Sequence, residues 1–276
     1  AQVAMNFPRI GGTFDAVLND TLMTVTAKDP RLTLAKSTLQ KMLNPPPAEG
    51  AAAPPMLLVD ADVPLTITWN QFRVPRAALT GEPADPALMN VDLKIAAGAP
   101  LVLIEPAFNN ARRELRDLAF NMTSNNLATV RFGLTGRATA SNADPGNIDI
   151  TGALRRLVAE DKTFSTENAV IDLTVAANSI PTAVIDAVQR WDGLVAAALG
   201  PTVNADIKAI GFSTRTGSVE AKLNSANSSL QTRMLGRREA LVMEQDASSN
   251  GSFELSPAFR QKLLEKIHPL LADIRQ

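Results

Sequence analysis

Two runs, Val91-Asp-Leu-Lys-Ile-Ala-Ala97 and Ile171-Asp-Leu-Thr-Val-Ala-Ala177, lie 80 residues apart and set the terms for any fold this chain can adopt. In both, Val/Ile/Leu positions recur every second residue with polar or small residues between. That period presents one apolar face from a strand and smears it around a helix. The same alternation recurs in Thr21–Ala27, Leu65–Trp69, Val130–Leu134, Ile148–Gly152, Val203–Ala209, Val219–Leu223 and Leu230–Met234, with short strands also expected at Leu57–Val63, Phe72–Val74, Leu101–Ile104, Leu118–Met122 and Ala240–Glu244. Turn chemistry separates them: Asp29-Pro30, Asn125-Asn126, Asp144-Pro145-Gly146-Asn147 and the Asn-Ser-Ala-Asn-Ser-Ser run from Asn224. For Leu154–Val158 a helical turn and a strand end fit equally.

Helical periodicity intrudes at three places. Ser37 offers a hydroxyl cap for a short helix with Leu39, Met42 and Leu43 on its apolar side. Pro181 suits the first turn of a helix carrying Val184, Val188, Trp191, Val195 and Leu199 at spacings of three and four, with Asp186, Gln189, Arg190 and Asp192 off that stripe, ended by Gly200-Pro201. Ser256-Pro257 starts the last helix, with Phe259, Leu263, Ile267 and Leu271 on one face. The expected architecture is therefore mainly β (α+β): a long, curved antiparallel β-sheet of repeated meanders, with two or three short amphipathic helices packed on it. Residues 1–44 form an N-terminal strand-helix portion and the Pro/Ala-rich stretch 45–55 a loop or linker. Residues 56–276 form the repetitive sheet domain, with helices near 181–199 and 257–273.

Most chemistries find no residues to carry them. With no cysteine there are no disulfides, thiolate nucleophiles or Cys-based metal sites, and a lone histidine, His268, reads as a helix-terminal residue rather than a base. No phosphate-binding loop, dinucleotide fingerprint or serine-nucleophile motif occurs, so no cofactor is expected and the chain reads as non-enzymatic. A formal net charge of −1 gives no footprint for nucleic acid. Asp60 and Asp62 lie two apart, where a cation could bridge them, and read as solvated carboxylates. Arg112, Arg113 and Arg116, mixed with Glu114 and Asp117, read as a solvated face. Trp69 and Trp191 read as core anchors. Asn-X-Ser/Thr triplets at Asn19, Asn121, Asn227 and Asn250 are too short a pattern to weigh.

Apolar surface is what remains. A sheet with one apolar face must cover it with a second sheet, with helices or with a ligand. The inward candidates are Val91, Leu93, Ile95, Ile171, Leu173, Val175, Val203 and Ile207. If the sheet curls without closing, these line a trough in which each buried methylene of an acyl chain contributes about 0.8 kcal/mol. If the apolar faces satisfy one another internally, the chain is instead a structural or adhesive module whose conspicuous surfaces are loops such as Pro45–Pro55.

Four stretches carry a resemblance: Val130–Gly152, with its Gly-Asn-Ile-Asp-Ile-Thr-Gly ending; Ile-Asp-Leu-Thr-Val followed by Ile180-Pro181-Thr182; Leu199-Gly200-Pro201; and the Leu-Ser-Pro start of the terminal helix. In these the chain resembles the AsmA-like, bridge-like lipid-transfer group of bacterial envelope proteins, well over its last 160 residues or so and loosely before them. The resemblance implies a periplasmic or cell-envelope location and a curled sheet that guides phospholipid or other acyl chains toward the outer membrane. It also implies attachment to the inner membrane through an N-terminal helix, with other envelope proteins as partners. This chain lacks that helix, which fits a segment of a longer protein. The family supplies no catalytic residues to carry over.

Overall fold

The computed structural model describes residues 10–18, 22–46, 56–79, 85–141, 144–159, 168–213, 216–237, 240–243, 249–254 and 256–267. Fifteen strands among these join one sheet, and every pairing is antiparallel. In chain order they are β1 (Ile10–Leu18), β2 (Leu22–Leu34), β3 (Leu58–Val59), β4 (Val63–Pro75), β5 (Asn90–Ala97), β6 (Leu101–Glu105), β7 (Ala111–Ser124), β8 (Thr129–Ala140), β9 (Gly146–Arg155), β10 (Val170–Pro181), β11 (Thr202–Phe212), β12 (Ser218–Ser225), β13 (Ser228–Arg237), β14 (Ala240–Met243) and β15 (Asn250–Phe253). The lateral order is β1-β2-β4-β5-β7-β8-β9-β10-β11-β12-β13-β14; β3 and β6 extend from β7, and β15 pairs with β13. At about 4.8 Å per strand the main path spans roughly 50 Å. Strands on both sides of 45–55 belong to this sheet, because β2 pairs with β4.

Register places the apolar positions together. Ile67, Ile95, Phe120, Leu134, Ile150, Val175, Ile207 and Ala221 sit opposite one another in successive pairs and make one cross-strand row over eight strands. A neighbouring row runs Leu93, Met122, Phe132, Gly152, Leu173, Ala209, Val219 and Met234. The intervening residues share the other face, which carries Lys94, Arg131, Thr135, Asp149, Thr151, Asp172, Thr174, Asp206, Lys208, Glu220, Lys222 and Arg233. Cross-strand ion pairs brace that face: Arg155 to Asp172 at 2.5 Å and Arg233 to Glu220 at 3.5 Å. One face is thus apolar and the other polar along most of the sheet, as a period of two dictates when register holds.

Among the described residues the α-helices are α1 (Lys36–Leu43), α2 (Arg76–Leu79), α3 (Thr182–Gln189), α4 (Leu194–Leu199) and α5 (Pro257–Ile267). Three of them, α1, α3 and α4, line one margin of the apolar face, where the core lies in two clusters. In the first, Leu39 of α1 and Ala187 of α3 pack with Leu57, Val59, Val63 and Leu103. In the second, Val184 of α3 packs with Ala138, Ala140, Ile180 and Val203. At the far end, α5 rests on α4, tied by Ser256 Oγ donating to the Ala197 carbonyl at 2.6 Å.

Several expectations change. The stripe from Val184 to Leu199 is two helices, α3 and α4, broken where Arg190, Asp192 and Gly193 all take positive φ. Val184 and Val195 are buried, but Val188 is 40% and Trp191 48% exposed, so Trp191 is no core anchor. The side chain of Trp69 is outside the described residues, as are His268 and most of 45–55. Met42, expected on the apolar side of α1, is 70% exposed. The Asp29-Pro30 turn is absent: both residues lie within β2, opposite an irregularity between Gly11 and Thr13 where no ladder N–H is required of Pro30. The β7–β8 turn forms as expected, but Leu127 takes its positive φ rather than either asparagine. The Ser124 hydroxyl supports it by accepting from the Leu127 N–H at 2.9 Å.

Candidate functional site: one apolar sheet face

All eight residues singled out from the sequence fall on the apolar face. Val91, Leu93 and Ile95 come from β5; Ile171, Leu173 and Val175 from β10; Val203 and Ile207 from β11. Val175 and Ile207 are direct partners across β10–β11, and Leu173 stands between Gly152 of β9 and Ala209 of β11. Val91, Leu93 and Ile95 lie four strands away from β10 and reach it only through the intervening rows of β7, β8 and β9. The eight are one face rather than one cluster. Seven of them are half-buried, and Val203, under the α3 margin, is buried.

That half-burial matters. Residues facing a second layer in a packed core are largely removed from water, whereas these keep part of their carbon surface accessible. The described strands form a single sheet, so no second sheet lies across the face.

Local packing keeps the face low. Gly152 is in register with Phe132, and a Cβ there would come within 2.5 Å of the Phe132 ring, so the ring lies flat over the glycine. Leu118 lies in the same way over Gly136, 2.7 Å from where a Cβ would stand. Sequence alone missed both arrangements; their signal was a glycine at an inward position of an alternating strand.

Where the helices meet the sheet, polar groups do structural work. Asp186, read as lying off the helical stripe, is 4% exposed. Its two carboxylate oxygens accept the N–H groups of Val195 and Ala196, each at 2.8 Å, so an acid on α3 caps the first turn of α4. The carboxylates of Asp60 and Asp62 sit in the β3–β4 turn, each with its own partner: Asp60 pairs with Arg112 at 2.7 Å, and Asp62 accepts the Lys36 N–H at 2.6 Å. Asp62 thereby supplies the start of α1 with the cap expected from Ser37, which lies inside the helix. Arg113 is the exception in its cluster. Its guanidinium pairs with Glu105 at 2.9 Å, both side chains nearly out of water, while Arg116 pairs with Glu114 at the surface. Burial pushes the Glu105 carboxyl above its usual range, opposed by the Arg113 charge and reinforced by Asp186 and Asp192.

Among the described residues no group of three or more acidic or histidine side chains is placed to hold a metal, and no helix is long and apolar enough to cross a membrane. Geometry therefore defines a class: an open, single-layer antiparallel sheet, apolar on one face and polar on the other, with helices along one margin. Comparison with protein-family models, with curated proteins and with solved structures gave no match in any of the three.

Proposed function

We propose that this chain is a non-enzymatic lipid-binding segment of the bacterial cell envelope, and that its sheet curls so that the apolar face becomes a trough for acyl chains. The observation that carries the reading is the continuous apolar face whose middle rows stay half-buried. Water-soluble proteins seldom leave so long a contiguous apolar surface without an occupant. Hydrocarbon is the occupant that asks for no polar partner, and the rows offer it none. The resemblance of Val130–Gly152, Ile171–Thr182 and Leu199–Pro201 to bridge-like lipid-transfer proteins agrees with it and supplies the periplasmic setting, the phospholipid cargo and the attachment to a membrane through a further segment. The similar runs in β5 and β10, alike at four of seven positions, fit a sheet built by repeating one meander.

The test is native mass spectrometry, with lipid extraction, of protein purified gently from a bacterial host. Wild-type protein should carry phospholipid, and Leu173→Asp should lose most of it while keeping its far-UV circular dichroism, because Leu173 is half-buried at mid-face rather than in either core cluster. A lipid-free mass from folded wild-type protein would turn the assignment toward a structural or adhesive module. Unfolding of Leu173→Asp would make Leu173 ordinary core.

A further inference from the structure

We infer that the apolar face ends, beside α1, in a recess built to take the terminal methyl segment of an acyl chain, and so orients a bound lipid with its tail toward the helical margin and its headgroup away from it. The inference rests on the lipid-binding reading and adds a site and a direction to it. The recess holds about 220 Å³. Its floor is Ile95, Ala97, Phe120 and Leu134; its wall is Leu39 of α1 and Leu101 of β6. Every residue that lines it is apolar, so an occupant meets no side-chain donor, acceptor or charge. Benzene fits a closed apolar cavity of ~150 Å³, so this recess, although open on one side, has room for a short run of methylenes.

Two features make it an end rather than a dent. First, Ile95, Phe120 and Leu134 are consecutive members of the row that continues through Ile150, Val175 and Ile207, so the floor of the recess and the open face are one surface. Second, the wall is fixed. Gln40 of α1 accepts the Val59 N–H at 2.8 Å and donates to the Leu57 carbonyl, and Leu39 is buried in the core cluster with Val63 and Leu103. The row itself passes on to Ile67 of β4, so it is a chain running along the strands, across the row and toward the margin, that would be stopped there. Leu118, which also lines the recess, is folded down over Gly136.

The experiment titrates the protein with lysophosphatidylcholines of increasing saturated chain length and reads bound fraction by native mass spectrometry. For wild type, affinity should rise by about fourfold per added methylene up to the length that fills the recess. Ala97→Phe, which puts a ring into the floor, should leave the shortest chains unchanged and lower affinity for the longest by tenfold or more. Leu134→Ala, which enlarges the space, should move the plateau to longer chains, and it reads the same site should Ala97→Phe not fold. Lipid binding by wild type with chain-length profiles identical in all three proteins, or shifted equally at every length, would overturn the recess and leave the lipid-binding reading standing. Failure of folded wild-type protein to bind any chain length would overturn both.

Discussion

At the scale of single residues, the buried Glu105–Arg113 pair carries the sharpest expectation. Each partner is costly to bury alone, and breaking such a pair by removing one member costs about 3–5 kcal/mol because the other charge is left uncompensated. Arg113→Met should therefore destabilise the protein by about that much at neutral pH. The sign of its pH dependence follows from the carboxyl. Burial already raises the Glu105 pKa in the fold, and loss of Arg113 removes what holds it down. A carboxyl with a raised folded pKa contributes stability that is present below its unfolded pKa and is lost as pH rises through the folded one. The variant's deficit should thus shrink on acidification toward the ordinary carboxylate range, measured by urea denaturation at a series of pH values; a deficit constant with pH would remove Glu105 as its cause. Nothing in the local sequence marks this pair. An Arg-Arg-Glu-Leu-Arg run reads as a solvated face, and only the β6–β7 pairing, which sets Glu105 beside Ala111 at the start of the strand that carries Arg113, brings the acid to the base.

Elements were more legible than residues, and where the reading failed the cause can be named. Alternation located β5 and β8–β13 and put the eight candidate residues on one face of the sheet, because a period of two is a local property that a strand cannot hide. Helix periodicity located α3 and α4 but fused them. Trp191 in the Arg190-Trp-Asp-Gly193 link keeps helical spacing with Val188 and Val195, yet Gly193 takes φ +72, which costs glycine little and other residues more. The Asp192-Gly193 dipeptide was the available sign of a break. What makes the break stable is tertiary: the Asp186 carboxylate on the α4 N–H groups, and Lys262 of α5 reaching the Asp192 carbonyl at 2.5 Å. Asp186→Ala should cost about 1–2 kcal/mol through the lost cap. By hydrogen exchange the loss should appear first in α4 and α5, with the central strands keeping their protection; uniform loss across the sheet would mean that the cap is not a local device.

For the whole molecule, the defining property is that among the described residues almost every strand along the main path lies beside its predecessor in sequence, with β3 and β6 displaced to one side and β15 returning to β13. Neighbour-only pairing explains why the architecture could be anticipated without knowing the curvature or the cover of the apolar face, since it asks only for alternation and turns. It also has a mechanical consequence. A tether pulling on the last strands would load the β13–β14 hydrogen bonds one after another, as a zipper is opened, rather than shearing a whole ladder at once. Single-molecule extension should then show a succession of low-force steps, each releasing one strand's length, in place of one high-force rupture. A sheet made this way yields gradually under strain, and the strands nearer the centre keep their pairing while the edge gives.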